Sequence, residues 1–284
     1  MVQLGKTKRD QNMKTLKLMA LLAHPDDESL GFGGTLAKYS AEGVETHVVI
    51  ATRGQAGRYG DEGFHPGPEA LGRIREAELQ AAARELGIHS LSVLDYMDAA
   101  LDRAEPATVI SELASLIRRV RPQVVLTFAH DGAYGHPDHI AICQFSTAAI
   151  IAAAKPSLKD RRSRPHAVSK LYYLAWGRES WEAYQRAFKK LTSTVDGEVR
   201  EASLWPEWSI TTRIDAREYW PTVWRAIQYY KTQLPGYPGL ADVSDKQHES
   251  LWGLQSYYRV FSSVNGGRTP ETDLFEGLRD EEST

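Results

Sequence analysis

The sequence predicts an α/β protein with a Rossmann-like, doubly wound and mainly parallel sheet. Apolar runs of strand length alternate with segments of helical period, which is the pattern of repeated βαβ units. The run Val124–Phe128 is apolar and β-branched, as expected of a strand that is covered on both faces. With 284 residues, of which 42% are hydrophobic, the chain is long enough to bury a sizeable core.

The elements follow one another in a regular order along the chain. The predicted strands are residues 16–23, 45–51, 91–96, 123–129 and 170–176, and later 208–214 and 257–263. Helix signals include Gly87 as a C-cap and Pro137 in a first turn, where its missing N–H costs little. The predicted helices are Glu69–Leu86, Glu105–Val120, Pro137–Ala154 and the aromatic stretch Tyr219–Tyr230. The later elements form a C-terminal α/β extension that packs on the same domain.

Composition limits the classes of partner and the cellular compartment. We expect a loose leader over residues 1–15, a single α/β domain over 16–264 and a polar C-terminal tail over 265–284. Lys and Arg number 34 against 37 Asp and Glu, without a long like-charge run, so no nucleic-acid partner is expected. No apolar stretch approaches the roughly 20 residues of a membrane span. The single cysteine permits no internal disulfide, which suits a cytoplasmic protein.

Two clusters of histidine and aspartate follow predicted strands. The segment His24–Glu28 (HPDDE) comes directly after the first strand, and His136–His139 (HPDH) comes a few residues after the fourth. In a doubly wound sheet of order 3-2-1-4-5, the first and fourth strands are neighbours, and ligands bind beyond their carboxyl ends. Both clusters should therefore face one crevice.

These residue types suit a hydrolytic metal site. Imidazole and carboxylate are suitable zinc ligands, and a catalytic zinc site uses three protein ligands and leaves a position for water. Asp26 and Asp27 are adjacent and point different ways, so one can bind metal while the other acts as a base. Either cluster alone is also explained as a turn with a helix N-cap. Two clusters after neighbouring strands favour the metal site.

The two clusters carry a resemblance to a known family. The segments Ala23–Glu28 and Tyr134–His139 resemble those of the PIG-L/LmbE-like zinc-dependent N-acetylglucosaminyl deacetylases, which include mycothiol- and bacillithiol-pathway enzymes. The resemblance runs from about residue 16 to 278 and implies that residues 16–264 form an LmbE-like catalytic domain.

The resemblance also implies roles for individual residues. The implied ligands of Zn²⁺, or of Fe²⁺ or another divalent metal, are His24, Asp27 and His139. The implied catalytic residues are Asp26 as general base, His136 as stabiliser or proton donor, Asp138 as the group that orients His136, and Tyr134 at the oxyanion. A buried Asp beside His136 would raise the pKa of that imidazole. The implied substrate-binding residues are Arg53, Arg75 and Asp98.

The function predicted from these residues is metal-dependent removal of an N-acetyl or other N-acyl group from an amino sugar or its conjugate. The alternatives left open are an amidase on a thiol conjugate or another N-acyl substrate, a phosphoesterase, and a non-catalytic Rossmann-like protein with a structural zinc. The sequence also leaves open a homo-oligomer. Other histidines, among them His47 and His89, have no partner at ligand spacing and are expected to be structural or at the surface.

Overall fold

The computed structural model describes residues 15–60, 64–156, 163–187, 191–267 and 269–279. The strands are β1 (Lys17–Leu22), β2 (Glu45–Thr52), β3 (Ser90–Tyr96), β4 (Val124–Thr127), β5 (Lys170–Ala175), β6 (Thr192–Val195), β7 (Glu198–Glu201), β8 (Thr212–Asp215) and β9 (Leu254–Ser262). The helices are α1 (Asp27–Leu30), α2 (Gly33–Ala41), α3 (Pro68–Glu85), α4 (Pro106–Val120), α5 (Gly132–Gly135), α6 (Pro137–Ala153), α7 (Arg178–Ala187), α8 (Trp220–Ile227) and α9 (Asp245–Trp252).

Seven strands form one sheet in the order β3-β2-β1-β4-β5-β9-β8. The first five are parallel, whereas β9 runs antiparallel to β5 and β8 runs antiparallel to β9. Leu18 of β1 lies between Thr46 of β2 and Val124 of β4, which fixes the register at the centre. The predicted mainly parallel α/β fold and its 3-2-1-4-5 order are confirmed, and β1 and β4 are neighbours.

Local sequence explains where the crossover helix α4 begins and ends. Helix α4 starts with Pro106 after Glu105, whose side chain accepts a hydrogen bond from the backbone N–H of Ala107. It ends at Arg121, which adopts a left-handed conformation with φ of 60°. Val109, Leu113 and Ile117 lie at helical spacing along α4 and are fully buried.

The C-terminal part differs in its boundaries from the sequence prediction. Strand β8 begins at Thr212 rather than at residue 208, because Glu207–Ser209 forms a short 3₁₀ turn. Strand β9 begins at Leu254, three residues before the predicted start. Helix α8 buries Val223, Ala226 and Ile227, as expected of a core helix.

The segment that the sequence assigns to a polar tail packs into the same core. Leu274 and Phe275 are fully buried, and so is the carboxylate of Glu271. That carboxylate accepts hydrogen bonds from Lys170 Nζ and Tyr172 Oη, each at 2.8 Å, and from Thr212 Oγ1 at 2.9 Å. Residues 269–279 are thus attached to strands β5 and β8. Residues 268 and 280–284 of the predicted tail and nearly all of the predicted leader lie outside the described residues.

None of the helices in the described ranges is long and apolar enough to cross a membrane.

Candidate active site

The turn that follows β1 is held by the carboxylate of Asp27. Its Oδ2 accepts hydrogen bonds from the backbone N–H groups of Ala23 (3.2 Å) and His24 (2.7 Å). The preceding residue, Asp26, has a φ of 108°, in the left-handed region that non-glycine residues rarely occupy. The side chain of Glu28 stabilises this conformation, because its Oε2 accepts a hydrogen bond from the backbone N–H of Asp26 at 3.1 Å. The side chains of Asp26 and Asp27 consequently point in different directions.

The second cluster lies where α5 meets α6. His136 is the N-cap of α6, and its Nδ1 accepts a hydrogen bond from the backbone N–H of Asp138 at 3.2 Å. His139 lies in the first turn, where its Nδ1 is 3.2 Å from the carbonyl oxygen of Gly132. Since a carbonyl can only accept, that ring nitrogen carries the proton and Nε2 presents a lone pair.

The structure brings His24, Asp27 and His139 together. His24 Nδ1 lies 3.2 Å from His139 Nε2, and Asp27 Oδ1 lies 3.3 Å from the same nitrogen. His24 Nδ1 and Asp27 Oδ2 are 3.6 Å apart. Tetrahedral ligands at the usual zinc distances would be separated by about 3.3–3.5 Å. Two further groups also have ligand atoms within 4.8 Å of one another: His24 with His136 and His139, and His24 with Asp98 and Asp138.

The hydrogen bonds around the two imidazoles fit a cation between them. His24 Nε2 lies 3.1 Å from carboxylate oxygens of both Asp138 and Asp98, so it carries a proton and leaves the Nδ1 lone pair facing His139. Two lone pairs that face each other at 3.2 Å repel unless a cation or a proton binds them. Burial alone would lower the pKa of His24. The carboxylates of Asp138, Asp27 and Asp98 outweigh this effect, so the pKa lies well above 6.5. This electrostatic preference for positive charge suits a divalent metal.

Asp26 lies beside these groups with the properties of a base. Its Oδ2 is 3.0 Å from an Nη of Arg75, whose guanidinium also donates to the carbonyl oxygens of Pro25 and Gly54. Burial raises the pKa of Asp26 to about 7, with Asp27 adding to the rise and Arg75 opposing it. A carboxylate with a pKa close to neutral can both take up and return a proton.

The arrangement around His136 differs from the sequence-based expectation. The fully buried carboxylate of Asp138 does not hold the imidazole of His136; it accepts from His24 and from the backbone N–H groups of Ala99 (2.8 Å) and Leu101 (3.0 Å). Burial and the neighbouring histidines lower the pKa of His136 to about 3, against the expected rise. Because its Nδ1 accepts from the helix backbone, the neutral ring carries its proton on Nε2.

The three residues predicted to contact substrate occupy different places. Arg75 is 3% exposed and Asp98 is 8% exposed, and their contacts are with Asp26 and His24 respectively. Arg53 is partly exposed, with its Nε 3.4 Å from Asp95 and 3.7 Å from Glu76. Two of the three therefore contact other residues of the predicted site directly. The HPDDE segment contains Glu28, but no pattern in the sequence indicates that its carboxylate holds the backbone N–H of Asp26.

A cavity of about 70 Å³ opens onto Asp26, Asp27 and His139. Its walls are largely aromatic and apolar, as is common for small-molecule sites. Tyr134, predicted at the oxyanion, lines it. The sequence did not point to the remaining wall, which is assembled from distant segments: Leu30, Gly31, Phe128, Ala133, Leu174, Trp176, Tyr184, Leu191 and Tyr237.

The chain is similar to a known protein family and to individual known proteins. The family model described as PIG-L, GlcNAc-PI de-N-acetylase, matches residues 19–150. A 1D-myo-inositol 2-acetamido-2-deoxy-alpha-D-glucopyranoside deacetylase from Thermobifida fusca is 32% identical, over 93% of this chain and 100% of that protein.

Solved structures share the fold at lower identity. An N,N'-diacetylchitobiose deacetylase from Pyrococcus horikoshii is 20% identical with a TM-score of 0.61, covering 94% of this chain and 87% of that one. A 4-carboxy-2-hydroxymuconate hydratase from Pseudomonas putida is also 20% identical, with a TM-score of 0.64 and coverage of 90% and 99%. The fold therefore does not by itself determine the reaction.

Proposed function

Because the chain belongs to the PIG-L family of GlcNAc-PI de-N-acetylases, we propose that it is a metal-dependent hydrolase that removes an N-acetyl group from an amino sugar or its conjugate. The observation that carries the proposal is the convergence of His24, Asp27 and His139 at 3.2–3.6 Å, with the carboxylate of Asp26 beside them.

The three residues would hold the ion, and zinc is the metal we propose. Two imidazole nitrogens and a carboxylate oxygen are suitable zinc ligands, and the hydrogen bonds to Gly132, Asp98 and Asp138 fix the orientation of the imidazoles. When bound, the ion supplies Lewis acidity towards the acyl carbonyl and towards water.

The side chains of this protein would carry out the proton transfers of the hydrolysis. Asp26 accepts the proton of the attacking water and returns it to the amine as the C–N bond breaks, which a pKa close to neutral allows. Arg75 holds the Asp26 carboxylate, and Glu28 holds the backbone of Asp26. Tyr134 and the Nε2–H of His136 are neutral donors that stabilise the developing oxyanion. Asp138 acts on His24 rather than on His136.

The substrate would be a small amino-sugar molecule. The cavity walls contain Trp176, Tyr184 and Tyr237. Aromatic faces pack well against the apolar faces of sugar rings and against the acetyl methyl group. We further propose that the protein acts in the cytoplasm, a compartment that suits a chain with one cysteine.

The test is acetate release from a panel of N-acetylglucosamine derivatives: the free sugar, glycosides and an inositol conjugate. Protein is stripped with a chelator and assayed before and after zinc is restored. We expect release only after restoration. N-acyl thiol conjugates form a separate arm, and their exclusive hydrolysis would overturn the amino-sugar assignment. Release that persists in the stripped protein would overturn the metal dependence.

A further inference from the structure

Two imidazoles and a carboxylate meet at the amino edge of the sheet, away from the crevice. Glu45 is the first residue of β2, and His47 lies two positions later on the same face of the strand. His89 directly precedes β3, and the next residue, Ser90, pairs with His47. One ligand atom from each of Glu45, His47 and His89 lies within 4.8 Å of the others. The crevice residues follow the opposite end of β1.

The central residue of this group has an unsatisfied buried nitrogen. His47 is 7% exposed, and its Nδ1 lies 2.6 Å from Ser90 Oγ. Its Nε2 is buried and has no hydrogen-bond partner among the described residues. Glu45 Oε2 is 3.6 Å away, too far for a hydrogen bond.

Both neutral tautomers of His47 leave Nε2 unsatisfied. If Ser90 donates to Nδ1, the Nε2–H lacks an acceptor; if Nδ1 donates to Ser90, the Nε2 lone pair lacks a donor or a cation. A buried unsatisfied polar atom is costly and needs an explanation. The second tautomer is the form that binds metals, and the contact from its other ring nitrogen to an oxygen is the usual support of a ligating histidine.

We propose that Glu45, His47 and His89 bind a second divalent transition-metal ion, of which zinc is the representative. Two imidazoles with one carboxylate suit zinc, and solvent water completes the coordination. The ligand atoms must approach to about 3.3–3.5 Å. His89 is exposed and the Glu45 side chain is 28% exposed, so both can rotate towards the fixed His47. The bound ion would join the starts of β2 and β3.

The ammonium of Lys17 competes with the proposed metal for Glu45, so its removal should change metal affinity in a predictable direction. Lys17 Nζ lies 3.0 Å from Glu45 Oε2, and its side chain is 30% exposed. The metal must displace this ammonium from the carboxylate. Removing the ammonium should therefore tighten metal binding, whereas it would have no such effect on an ion bound in the crevice.

Zn²⁺ binding is measured by competition with a chromophoric chelator on the full chain carrying His139→Ala, which disables the crevice site. We expect one zinc ion per chain on this background. Adding His89→Gln should abolish binding of this ion. Adding Lys17→Ala should tighten zinc binding about fivefold, and the exposed control His65→Gln should leave zinc affinity unchanged.

Absence of zinc on the His139→Ala background would overturn the proposal, and so would binding that survives His89→Gln. Circular dichroism of each variant checks that the fold is retained; the side chain of His89 is exposed and that of Lys17 is partly exposed. Because turnover is not measured and the crevice is already disabled, the result is independent of the deacetylase assignment.

Discussion

Replacing Glu271 tests whether the C-terminal segment is part of the domain. The carboxylate is 1% exposed and accepts from the fully buried Lys170, while Arg259 lies 2.8 Å from the same oxygen. Glu271→Gln would remove the charge and leave Lys170 without its carboxylate partner. Breaking a buried pair in this way costs about 3–5 kcal/mol.

The electrostatics of the carboxylate give a similar magnitude. Burial opposes the charge of Glu271, but the donors Asn265, Lys170 and Tyr172 lower its pKa from 4.5 to about 2. That difference corresponds to about 3 kcal/mol of folding stability. Because the folded pKa is the lower one, the stabilisation is complete above pH 4.5 and is lost as the pH falls towards 2.

The assay is urea unfolding at pH 7 and at pH 3, followed by circular dichroism. We expect Glu271→Gln to lower the free energy of unfolding by about 3 kcal/mol at pH 7 and by clearly less at pH 3. Lys170→Met should cost less, since Arg259 still pairs with the carboxylate. The stability loss of the double variant should be smaller than the sum of the two single losses by about 1–3 kcal/mol.

The control is Glu207→Gln, which removes half of an exposed ion pair with Arg213 and should cost less than about 1 kcal/mol. A loss below about 1 kcal/mol for Glu271→Gln, or strict additivity with Lys170→Met, would mean that Glu271 and Lys170 do not form a stabilising buried pair. The segment would then not be docked on β5 and β8 as described.

Three further substitutions test the site and the core. Asp98→Asn weakens the acceptor for His24 Nε2, so zinc affinity measured by chelator competition should fall about 10- to 100-fold, with activity restored by excess zinc. Arg75→Lys cannot donate at once to the Asp26 carboxylate and to the carbonyl oxygen of Gly54 as the guanidinium does, so kcat should fall about 10- to 100-fold in steady-state assays while KM changes little. Gly34→Ala places a Cβ 2.5 Å from a backbone carbonyl, so thermal unfolding should show a loss of about 1–3 kcal/mol.

Each of these predictions has an outcome that contradicts it. Unchanged zinc affinity in Asp98→Asn would mean that this carboxylate does not orient a ligand. A rise in KM alone for Arg75→Lys would favour the substrate-contact role that the sequence predicts. Gly266→Ala is the control for Gly34→Ala, because a Cβ at Gly266 meets nothing within 4 Å. Equal stability of the two glycine variants would contradict the close approach of Gly34 in α2 to the backbone carbonyl of Trp252.

The sequence predicts those features that depend on periodicity and on the order of strands. The apolar runs locate the parallel strands, and the neighbouring positions of β1 and β4 bring His24 and His139 to one crevice. Both follow because the carboxyl ends of neighbouring parallel strands share an edge.

Features that depend on tertiary contacts were missed. The carboxylate of Asp138 is two residues from His136, yet helix α6 turns it towards His24 and the 97–101 loop. Residues 269–279 are polar on average, and only the fold shows that Leu274 and Phe275 enter the core. His47 and His89 are far apart along the chain, so their proximity depends on the pairing of β2 with β3.

The most direct test of the central claim compares Asp26→Asn, His139→Ala and the exposed control Asp102→Asn. Bound zinc and acetate release are measured on the same protein samples. We expect Asp26→Asn to keep the zinc content of the wild type and to lose about 10²- to 10⁴-fold in turnover. His139→Ala should lose one equivalent of zinc together with activity, and Asp102→Asn should match the wild type. Acetate release by Asp26→Asn at the wild-type rate would mean that Asp26 is not the general base.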